Sequence, residues 1–282
     1  MKIRILFLLV AVLAFTACQE TTTNDTLPSG YEYVLHTPNN DGATAEPEAI
    51  AFFRYGMRND NETVVSNYDA TFPQAAPIPA AAPGRPLTPI DEALMLMKVG
   101  DSLTIIVPLD TVPANQRPQG FESSSFLYYD ISLKDMKTKA SMDARVEEVN
   151  SFVGSTIDAY NDGSLEGVQT TESGLKYVIH EEGTGAAPDS ADYVYVDYYG
   201  SLLDKTTFDD SFKRGMPFAF QIKTGRVIPG WDEGIGLLPE GSKATLFVPS
   251  DLGYGEAGSP PVIPGGAELV FYVELINVVN PE

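Results

Sequence analysis

The sequence predicts an α+β protein in which two small antiparallel domains are joined by one amphipathic helix. Residues 29–36 recur in similar form as residues 173–180, at a spacing of 144 positions. Each copy contains short stretches of alternating apolar and polar residues, such as 193–198 and 244–248, which are typical of half-buried strands. Between the copies, apolar residues recur at steps of three and four, as in a helix that packs on a neighbour.

Length and charge limit the class of protein. A chain of 282 residues is long enough for two domains, each with its own core. It carries 39 acidic and 18 basic residues, a formal net charge of −21. Nucleic-acid binding needs clustered Lys and Arg to neutralise phosphates, so the composition excludes that function, and an acidic surface favours solubility.

The N-terminus has the organisation of an export signal. Lys2 and Arg4 precede an apolar run over residues 5–15, and small residues lead to Cys18. We therefore expect residues 1–17 to be a lipoprotein signal peptide and Cys18 to be lipidated. The alternative is a buried or free thiol, but a lone Cys beside a cleavage site has no partner for an internal disulfide.

Removal of the signal leaves 16 basic residues against 39 acidic ones, a net charge of −23, and a chain held at the membrane by lipid alone. Gln19 after Cys18 resembles an outer-membrane sorting signal, and Asp25-Thr26-Leu27 resembles the short O-glycosylation signal of Bacteroidetes. The expected location is the outer membrane, on its periplasmic or cell-surface face.

The expected domain order follows the repeat. Residues 18–28 are polar and rich in Thr, which predicts a flexible tether. A first domain over 29–137, a linker helix over 138–166 and a second domain over 167–282 follow. Within the copies, the spacing of 144 also pairs residues 55–56 with 199–200 and 127–131 with 271–275, and a short helix is expected over 232–237.

The linker helix carries an apolar stripe that must be buried. Two burial modes remain open: packing on a neighbouring domain of the same chain, or pairing with a second copy to give a homodimer. The stripe consists of Met142, Val146, Val149, Val153, Ile157 and Tyr160.

Spaced motifs in the second copy carry a family resemblance. They are Val-Asp-Tyr-Tyr-Gly at 196–200, Thr-Phe-Asp-Asp-Ser at 207–211, Val-Ile-Pro-Gly-Trp-Asp-Glu-Gly at 227–234, Leu-Gly-Tyr-Gly at 252–255, Val-Ile-Pro at 262–264 and the strand 269–275. In this order, residues 171–279 resemble the FKBP-type peptidyl-prolyl cis/trans isomerases. The resemblance implies a curved antiparallel sheet wrapped on a short helix, so that both copies are expected to be FKBP-like.

The resemblance also implies a set of site residues. Those expected to form the catalytic pocket are Tyr198, Phe208, Asp209, Ile228, Trp231, Tyr254 and Phe271. Those expected to bind substrate around it are Phe218, Val227, Arg214, Val262 and Ile263. Arg226 stands where an acidic residue or glutamine is common, and Ser259 where the human prototype has histidine.

The chemistry of these residue types agrees with the resemblance. Rotation about an X-Pro amide is opposed by a resonance barrier of about 18–20 kcal/mol and needs no nucleophile. An aromatic pocket favours the twisted amide, whose dipole is weaker. The Ile228 N–H and the Tyr254 hydroxyl are the donors that the resemblance assigns to substrate carbonyls, and Asp209 would orient Tyr198. Each aromatic taken alone also fits a role as core filler.

The first copy departs from the pattern. Ile90 occupies the tryptophan position, the Phe-Asp motif is replaced near residues 65–67, and no Tyr-Gly or Ile-Pro pair follows Pro108. A degenerate, non-catalytic domain is expected. Its insertion at residues 73–89 is rich in proline and would be either a polyproline segment that docks into an isomerase pocket or a stiff surface loop.

The sequence therefore favours an isomerase that assists the folding of exported proteins. The alternative is a holdase-type chaperone or assembly factor that binds proline-containing segments without turnover. The expected partners are unfolded or proline-containing polypeptides and macrolide immunophilin ligands, and no metal or organic cofactor is implied.

Overall fold

The computed structural model describes residues 23–281, except 69, 71, 81–85 and 111. The expected signal peptide and Cys18 lie outside the described residues. The described chain forms two antiparallel sheets with one long helix between them in sequence. The helices are α1 (Pro89–Leu96), α2 (Lys139–Asp162), α3 (Ser211–Arg214) and α4 (Pro229–Ile235).

The first sheet is built from the first copy. Its strands are β1 (Thr23–Thr26), β2 (Glu32–Thr37), β3 (Ile50–Arg58), β4 (Thr63–Ser66), β5 (Gln74–Pro77), β6 (Ser102–Pro108) and β7 (Phe126–Lys137). They lie in the order β1-β2-β6-β7-β3-β4, and β5 pairs with the other end of β3. Helix α1 closes the apolar face, where Ala93 and Leu94 are buried in the first core.

The second sheet repeats this topology. Its strands are β8 (Gln169–Thr170), β9 (Lys176–Glu181), β10 (Tyr193–Leu202), β11 (Thr207–Asp210), β12 (Phe218–Gln221), β13 (Lys243–Val248) and β14 (Leu269–Val279). Their order is β8-β9-β13-β14-β10-β11, with β12 on β10. Both sheets also keep one cross-strand contact, between His36 and Thr104 (2.7 Å) and between His180 and Thr245 (2.8 Å). Two domains of one fold, predicted from the repeat, are confirmed.

Bulges fix how the two copies correspond. The first sheet shifts register after Phe52 and after Met57, and the second after Tyr195 and after Gly200. Each pair of shifts is 143 residues apart, so the spacing of 144 expected from the sequence is wrong by one on this strand. Between β7 and β14 the spacing is 142, because Phe53 pairs with Leu133 as Val196 pairs with Leu275.

The physical reason for the error is that the loops between strands gain and lose residues without changing the ladders, while both copies carry their bulges at corresponding positions. Adjacent tyrosines at 198 and 199 also allow a one-residue slip in the alignment. In the folded chain, Tyr55 occupies the position of Tyr198. Its N–H donates to Asn67 as that of Tyr198 donates to Ser211.

The expected tether is ordered over its second half. Residues 23–26 form β1, which pairs with β2, and Leu27 is buried in the first core. The polar composition did not predict β1, because an edge strand needs only backbone hydrogen bonds on one side and one buried apolar residue. The expectation of a flexible segment is therefore wrong for residues 23–28.

Helix α2 packs on the second domain of its own chain. Its stripe residues Val149, Val153 and Ile157 are buried with Phe247 and Tyr272 on the face of the second sheet opposite α4. Gly163, at φ 78°, ends the helix in a left-handed conformation, which glycine adopts without strain. Packing on a neighbouring domain is therefore the burial mode found in the folded chain, and a homodimer through the linker helix stays a prediction. In the described part of the chain, no helix combines the length and apolar character needed to cross a membrane.

The proline-rich insertion is partly absorbed by the first sheet. Residues 74–77 form β5, and Ile78 is buried in the first core. Residues 81–85 lie outside the described residues. The described half of the insertion is thus a strand and a surface loop of its own domain, not an occupant of the other domain's pocket.

Candidate active site

A cavity of about 490 Å³ opens beside α4 in the second domain. Because side chains alternate along a strand, Tyr198 faces α4 while Tyr199 faces α2. The cavity is therefore on the side of the sheet that α2 leaves free. Its walls are Tyr198, Phe208, Asp209, Phe218, Gly225, Arg226, Val227, Ile228, Trp231, Tyr254 and Phe271.

Trp231 forms the floor of the cavity. It lies in the first turn of α4, which begins at Pro229 immediately after the extended residue Ile228. Proline disfavours a helical conformation in the residue before it and suits the first helical position, so this sequence places the helix start at the cavity edge. The indole stands edge-to-face against Tyr198 (4.9 Å, 86°) and Phe271 (5.2 Å, 82°), and it is 4% exposed.

One glycine allows the opposite wall to close. A Cβ on Gly200 would lie 2.5 Å from the Phe208 ring and 3.0 Å from the Phe271 ring. Only glycine leaves room for these rings, which meet edge-to-face at 5.4 Å. Gly200 was missed as a site residue, because a Tyr-Gly pair in a strand does not show that an aromatic ring from another strand packs against the glycine.

A polar cluster lies against this aromatic wall. The Tyr198 hydroxyl donates to Asp209, and Arg214 donates both to Asp209 and to the Tyr198 hydroxyl, the latter at 2.9 Å. Burial and the hydrogen bond to Asp209 raise the pKa of Tyr198 to about 12. Burial alone would raise the pKa of Asp209, but the bonds from Tyr198, Arg214 and the Asp210 N–H outweigh it, so this pKa is lowered.

These shifts define the protonation states of the cluster. Near neutral pH, Tyr198 is a neutral phenol that donates, and Asp209 is a carboxylate that accepts. Arg214 balances that charge. The cluster thus places one oriented dipole and one compensated ion pair against an otherwise apolar cavity.

The rim before Trp231 is anchored by Asp232. Its carboxylate accepts from the Lys223 N–H (2.7 Å) and the Gly225 N–H (3.1 Å). These bonds fix the loop that carries Val227 and Ile228 over the cavity. The Ile228 carbonyl accepts from the Trp231 N–H at 2.9 Å, while its own N–H has no partner among the described residues. A backbone donor is therefore available at the cavity edge.

The structure brings most of the predicted site residues together. All seven expected catalytic residues, together with Phe218 and Val227, line the cavity. Arg214 does not line it and acts behind Asp209. Val262 and Ile263 are also absent from the walls: Val262 points to solvent at 41% exposure, while Ile263 is buried in the core. Their expected roles in substrate binding stay predictions.

Besides Gly200, sequence reasoning missed two supporting residues. Ser211 joins the Tyr198 N–H to buried Asp197 through bonds of 2.8 Å each. Asp232 was quoted in the tryptophan motif without a role.

The corresponding positions of the first domain differ in chemistry. Val64 and Val65 stand where Phe208 and Asp209 stand, because Val65 pairs with Met57 as Asp209 pairs with Gly200. Ile90 lies in α1 at the tryptophan position and packs on the first core. The polar cluster and the indole floor therefore have no counterpart there.

The residues described here include no group of three or more His, Cys, Asp or Glu side chains placed to hold a metal ion.

Comparison with known proteins assigns the domain that holds the cavity. Residues 185–276 match the family model described as FKBP-type peptidyl-prolyl cis-trans isomerase. The C-terminal domain of this chain belongs to that family.

Individual relatives cover part of the chain. The FKBP-type peptidyl-prolyl cis-trans isomerase FkpA of Aeromonas hydrophila is 46% identical over 153 residues, 54% of this chain and 55% of that protein. The FKBP-type 22 kDa peptidyl-prolyl cis-trans isomerase of Escherichia coli K12 is 46% identical over 114 residues, 40% of this chain and 54% of that protein. The crystal structure of FkpA from Escherichia coli gives a TM-score of 0.40 at 39% identity, covering 50% of this chain and 66% of that chain. The chain spans about half the length of the curated relatives it matches.

Proposed function

We propose that this protein is a peptidyl-prolyl cis/trans isomerase and that the 490 Å³ cavity is its active site. The observation that carries the proposal is the convergence of six aromatic side chains, one backbone donor and one compensated carboxylate on a single cavity. The family membership of the C-terminal domain supports it.

The cavity suits a reaction without a nucleophile. The twisted amide has lost resonance and is less polar than the planar one, so transfer from water into aromatic walls favours the twisted state. Trp231, Phe208 and Phe271 would enclose the prolyl ring. The barrier to be lowered is about 18–20 kcal/mol in the absence of catalysis.

Polar groups would hold the peptide on either side of the proline. The free Ile228 N–H and the Tyr254 hydroxyl would donate to substrate carbonyls, each for about 0.5–1.5 kcal/mol. Tyr254 is 42% exposed and stands at the mouth of the cavity, where it would close over a bound chain. Asp209 would act electrostatically on the rotating carbonyl and hold Tyr198 in place.

A protease-coupled assay on a short proline peptide tests the proposal, using the chain from Gln19 onward. We expect turnover that a macrolide immunophilin ligand inhibits. No acceleration over the uncatalysed rate, with the domain folded by circular dichroism, would overturn it.

A holdase function is the second candidate, favoured by the first domain, which keeps the fold but lacks the indole floor and the polar cluster. In this case the protein would suppress aggregation of an unfolded client equally well with Asp209→Asn, which removes the charge of the cluster. Parallel loss of isomerisation and aggregation suppression would instead assign both effects to the cavity.

We further propose that the protein assists folding of exported polypeptides while anchored through Cys18 to the outer membrane. The signal-like residues 1–17 support this, and the acidic surface agrees with a chain held by lipid alone. Cys18→Ala should move the protein from the membrane fraction to the soluble fraction. Membrane association of the processed variant would contradict lipid anchoring.

A further inference from the structure

A second cavity adjoins the candidate active site. It has a volume of about 540 Å³ and shares Phe208 and Asp209 with the first cavity. Its far side is formed by α2 and α3, through Val146 and Asn150 of α2 and the basic pair Lys213 and Arg214. The two cavities therefore meet at β11, an edge strand of the second sheet, with the first cavity on the α4 side of the sheet and the second on the α2 side. Together they are called the groove.

Two basic side chains at this groove have no partner in the described part of the chain. Most cations of residues 167–281 are engaged: Lys176 with Tyr160, Lys205 with Asp158, Arg214 with Asp209, Lys223 with the Pro188 carbonyl and Lys243 with Glu181. Lys213 and Arg226 are exposed and form no ion pair or side-chain hydrogen bond with any described residue. One lines the second cavity and the other lines the first.

The carboxylates nearby are already occupied. Asp209 is balanced by Arg214, and Asp232 accepts two backbone N–H groups. Asp210 is buried and accepts from the Lys213 N–H at 3.2 Å, and burial raises its pKa. Against a chain of net charge −21, the groove thus presents, towards each end, one cation that no described residue pairs.

We propose that the two cavities bind one extended polypeptide and that Arg226 and Lys213 select segments with carboxylates on both sides of the proline. This deepens the proposed isomerase function and rests on it. The prolyl ring occupies the first cavity, and the chain continues past Phe208 into the second. Arg226 meets a carboxylate on one side of the proline, and Lys213 meets one on the other.

The size of the effect follows from the exposure of both cations. Two charges 4 Å apart in water attract by an amount worth about a fivefold change in affinity. Salt reduces it, because the Debye length falls from about 10 Å at 0.1 M to about 3 Å at 1 M. A preference of about fivefold for each carboxylate at low salt, fading at high salt, is expected.

The test uses two octapeptides that differ only in Glu or Gln at the positions flanking a central Ala-Pro. Binding is followed by the fluorescence of Trp231, the only tryptophan in the chain, and turnover of the same peptides is measured separately. We expect the Glu peptide to bind more tightly at low salt. Equal binding of the two peptides would overturn the proposal.

Variants assign each carboxylate to its cation. Arg226→Gln should abolish the preference for Glu on one side of the proline, and Lys213→Gln on the other, whereas Arg226→Lys should retain it. A proline tetrapeptide is too short to enter the second cavity. Its preference for Glu should therefore be changed by Arg226→Gln and left unchanged by Lys213→Gln. Lys243→Gln is the matched control, because Lys243 is paired with Glu181 away from the groove, and it should leave every ratio unchanged.

The outcomes separate the two proposals. If neither octapeptide is isomerised, the proposed function fails, whatever the binding shows. Suppose instead that the Gln peptide is isomerised at the same rate as the Glu peptide, and that Arg226→Gln and Lys213→Gln leave the ratio between the two peptides unchanged. The isomerase function then stands and the charge-selective groove is wrong.

Discussion

Asp209 is the residue on which the electrostatics of the candidate site depend. It receives hydrogen bonds from Tyr198, Arg214 and the Asp210 N–H. Its side chain is 45% exposed, so solvent screens part of the charge and the ion pair with Arg214 contributes little to stability. The function of the pair is therefore positional: it holds a phenol and a carboxylate in fixed directions beside the cavity.

Asp209→Asn should lower turnover of a short peptide on the order of tenfold. An amide cannot accept two charge-assisted hydrogen bonds as a carboxylate does, and losing one at a half-exposed position is worth about 1.5 kcal/mol. The protease-coupled assay gives the rate. Arg214→Lys keeps the charge and loses the planar fork, so its activity should fall between those of wild type and Asp209→Asn.

The pH profile checks the same cluster. The pKa of Asp209 is lowered in the folded protein, so its contribution to stability is fully present above its unfolded pKa and is lost as pH falls through the lowered value. Activity should be flat from about pH 5 upward, because Tyr198 keeps its proton up to a pKa of about 12. A rate that rises or falls near pH 7 would show that another group controls the reaction.

Truncation of the cavity floor should destabilise the domain. Trp231→Ala removes a buried indole and should lower the unfolding free energy by about 3–5 kcal/mol. Trp231→Phe should lower it less, because the indole Nε1 is buried and has no hydrogen-bond partner among the described residues. Urea unfolding followed by far-ultraviolet circular dichroism measures both. A loss for Trp231→Phe as large as that for Trp231→Ala would contradict this account of the cavity floor.

At this scale the sequence predicted the cavity walls but not what supports them. Trp231 and Phe271 could be found because they stand in spaced motifs. Gly200 and Asp232 could not, since a ring crossing a glycine and a carboxylate gathering turn N–H groups depend on the folded path. Val262 and Ile263 were expected near the peptide, yet the loop turns one outward and the other into the core.

Among the elements, α2 is the one whose burial the sequence left open. Its apolar stripe was visible in the spacing, but spacing does not say which surface receives it. The receiving surface is the outer face of the second sheet, where the Tyr160 ring stacks on Phe247 at 3.8 Å. Tyr199 also donates to Asn150 at 2.8 Å. We infer that the folding unit of the second domain begins at α2 and not at residue 167.

Deletion of α2 should therefore destabilise the domain. Val149, Val153 and Ile157 are buried against the sheet, and each contributes about 1.5–3 kcal/mol to a stability of about 5–15 kcal/mol. A fragment of residues 167–282 should unfold at much lower urea than a fragment of residues 138–282, and it should bind a hydrophobic dye.

Point variants separate the contribution of the helix contacts from the effect of truncating the chain. In the 138–282 fragment, Val153→Ala should cost about 2 kcal/mol. Glu147→Ala on the exposed face should stay within about 0.5 kcal/mol. If the two fragments unfold at the same urea concentration, the contacts of α2 with the sheet do not contribute to stability.

The whole molecule joins its domains through an apolar contact that the repeat could not predict. Phe72 of the first domain stacks on Tyr195 at 4.9 Å, and Ile50 packs with Met142 and Met216. Met216 is two residues before Phe218, a wall of the cavity. A repeat establishes that two copies share a fold, but their relative placement depends on outward-facing side chains that the copies do not share.

The division of labour between the domains is the last prediction. Every residue of the candidate active site lies in the second domain, so the 138–282 fragment should isomerise a short proline peptide as fast as the chain from Gln19 onward. A long unfolded client can contact both domains, and a second tethered contact raises its effective concentration at the cavity. The longer chain should therefore accelerate proline-limited refolding more than the fragment does at equal molar amounts. Phe72→Ala, which loosens the contact between the domains, should bring the longer chain closer to the fragment in refolding without changing the peptide rate. Equal refolding by fragment and longer chain would show that the first domain does not bind clients, and a fragment that is folded but inactive on peptides would show that the active site lies elsewhere.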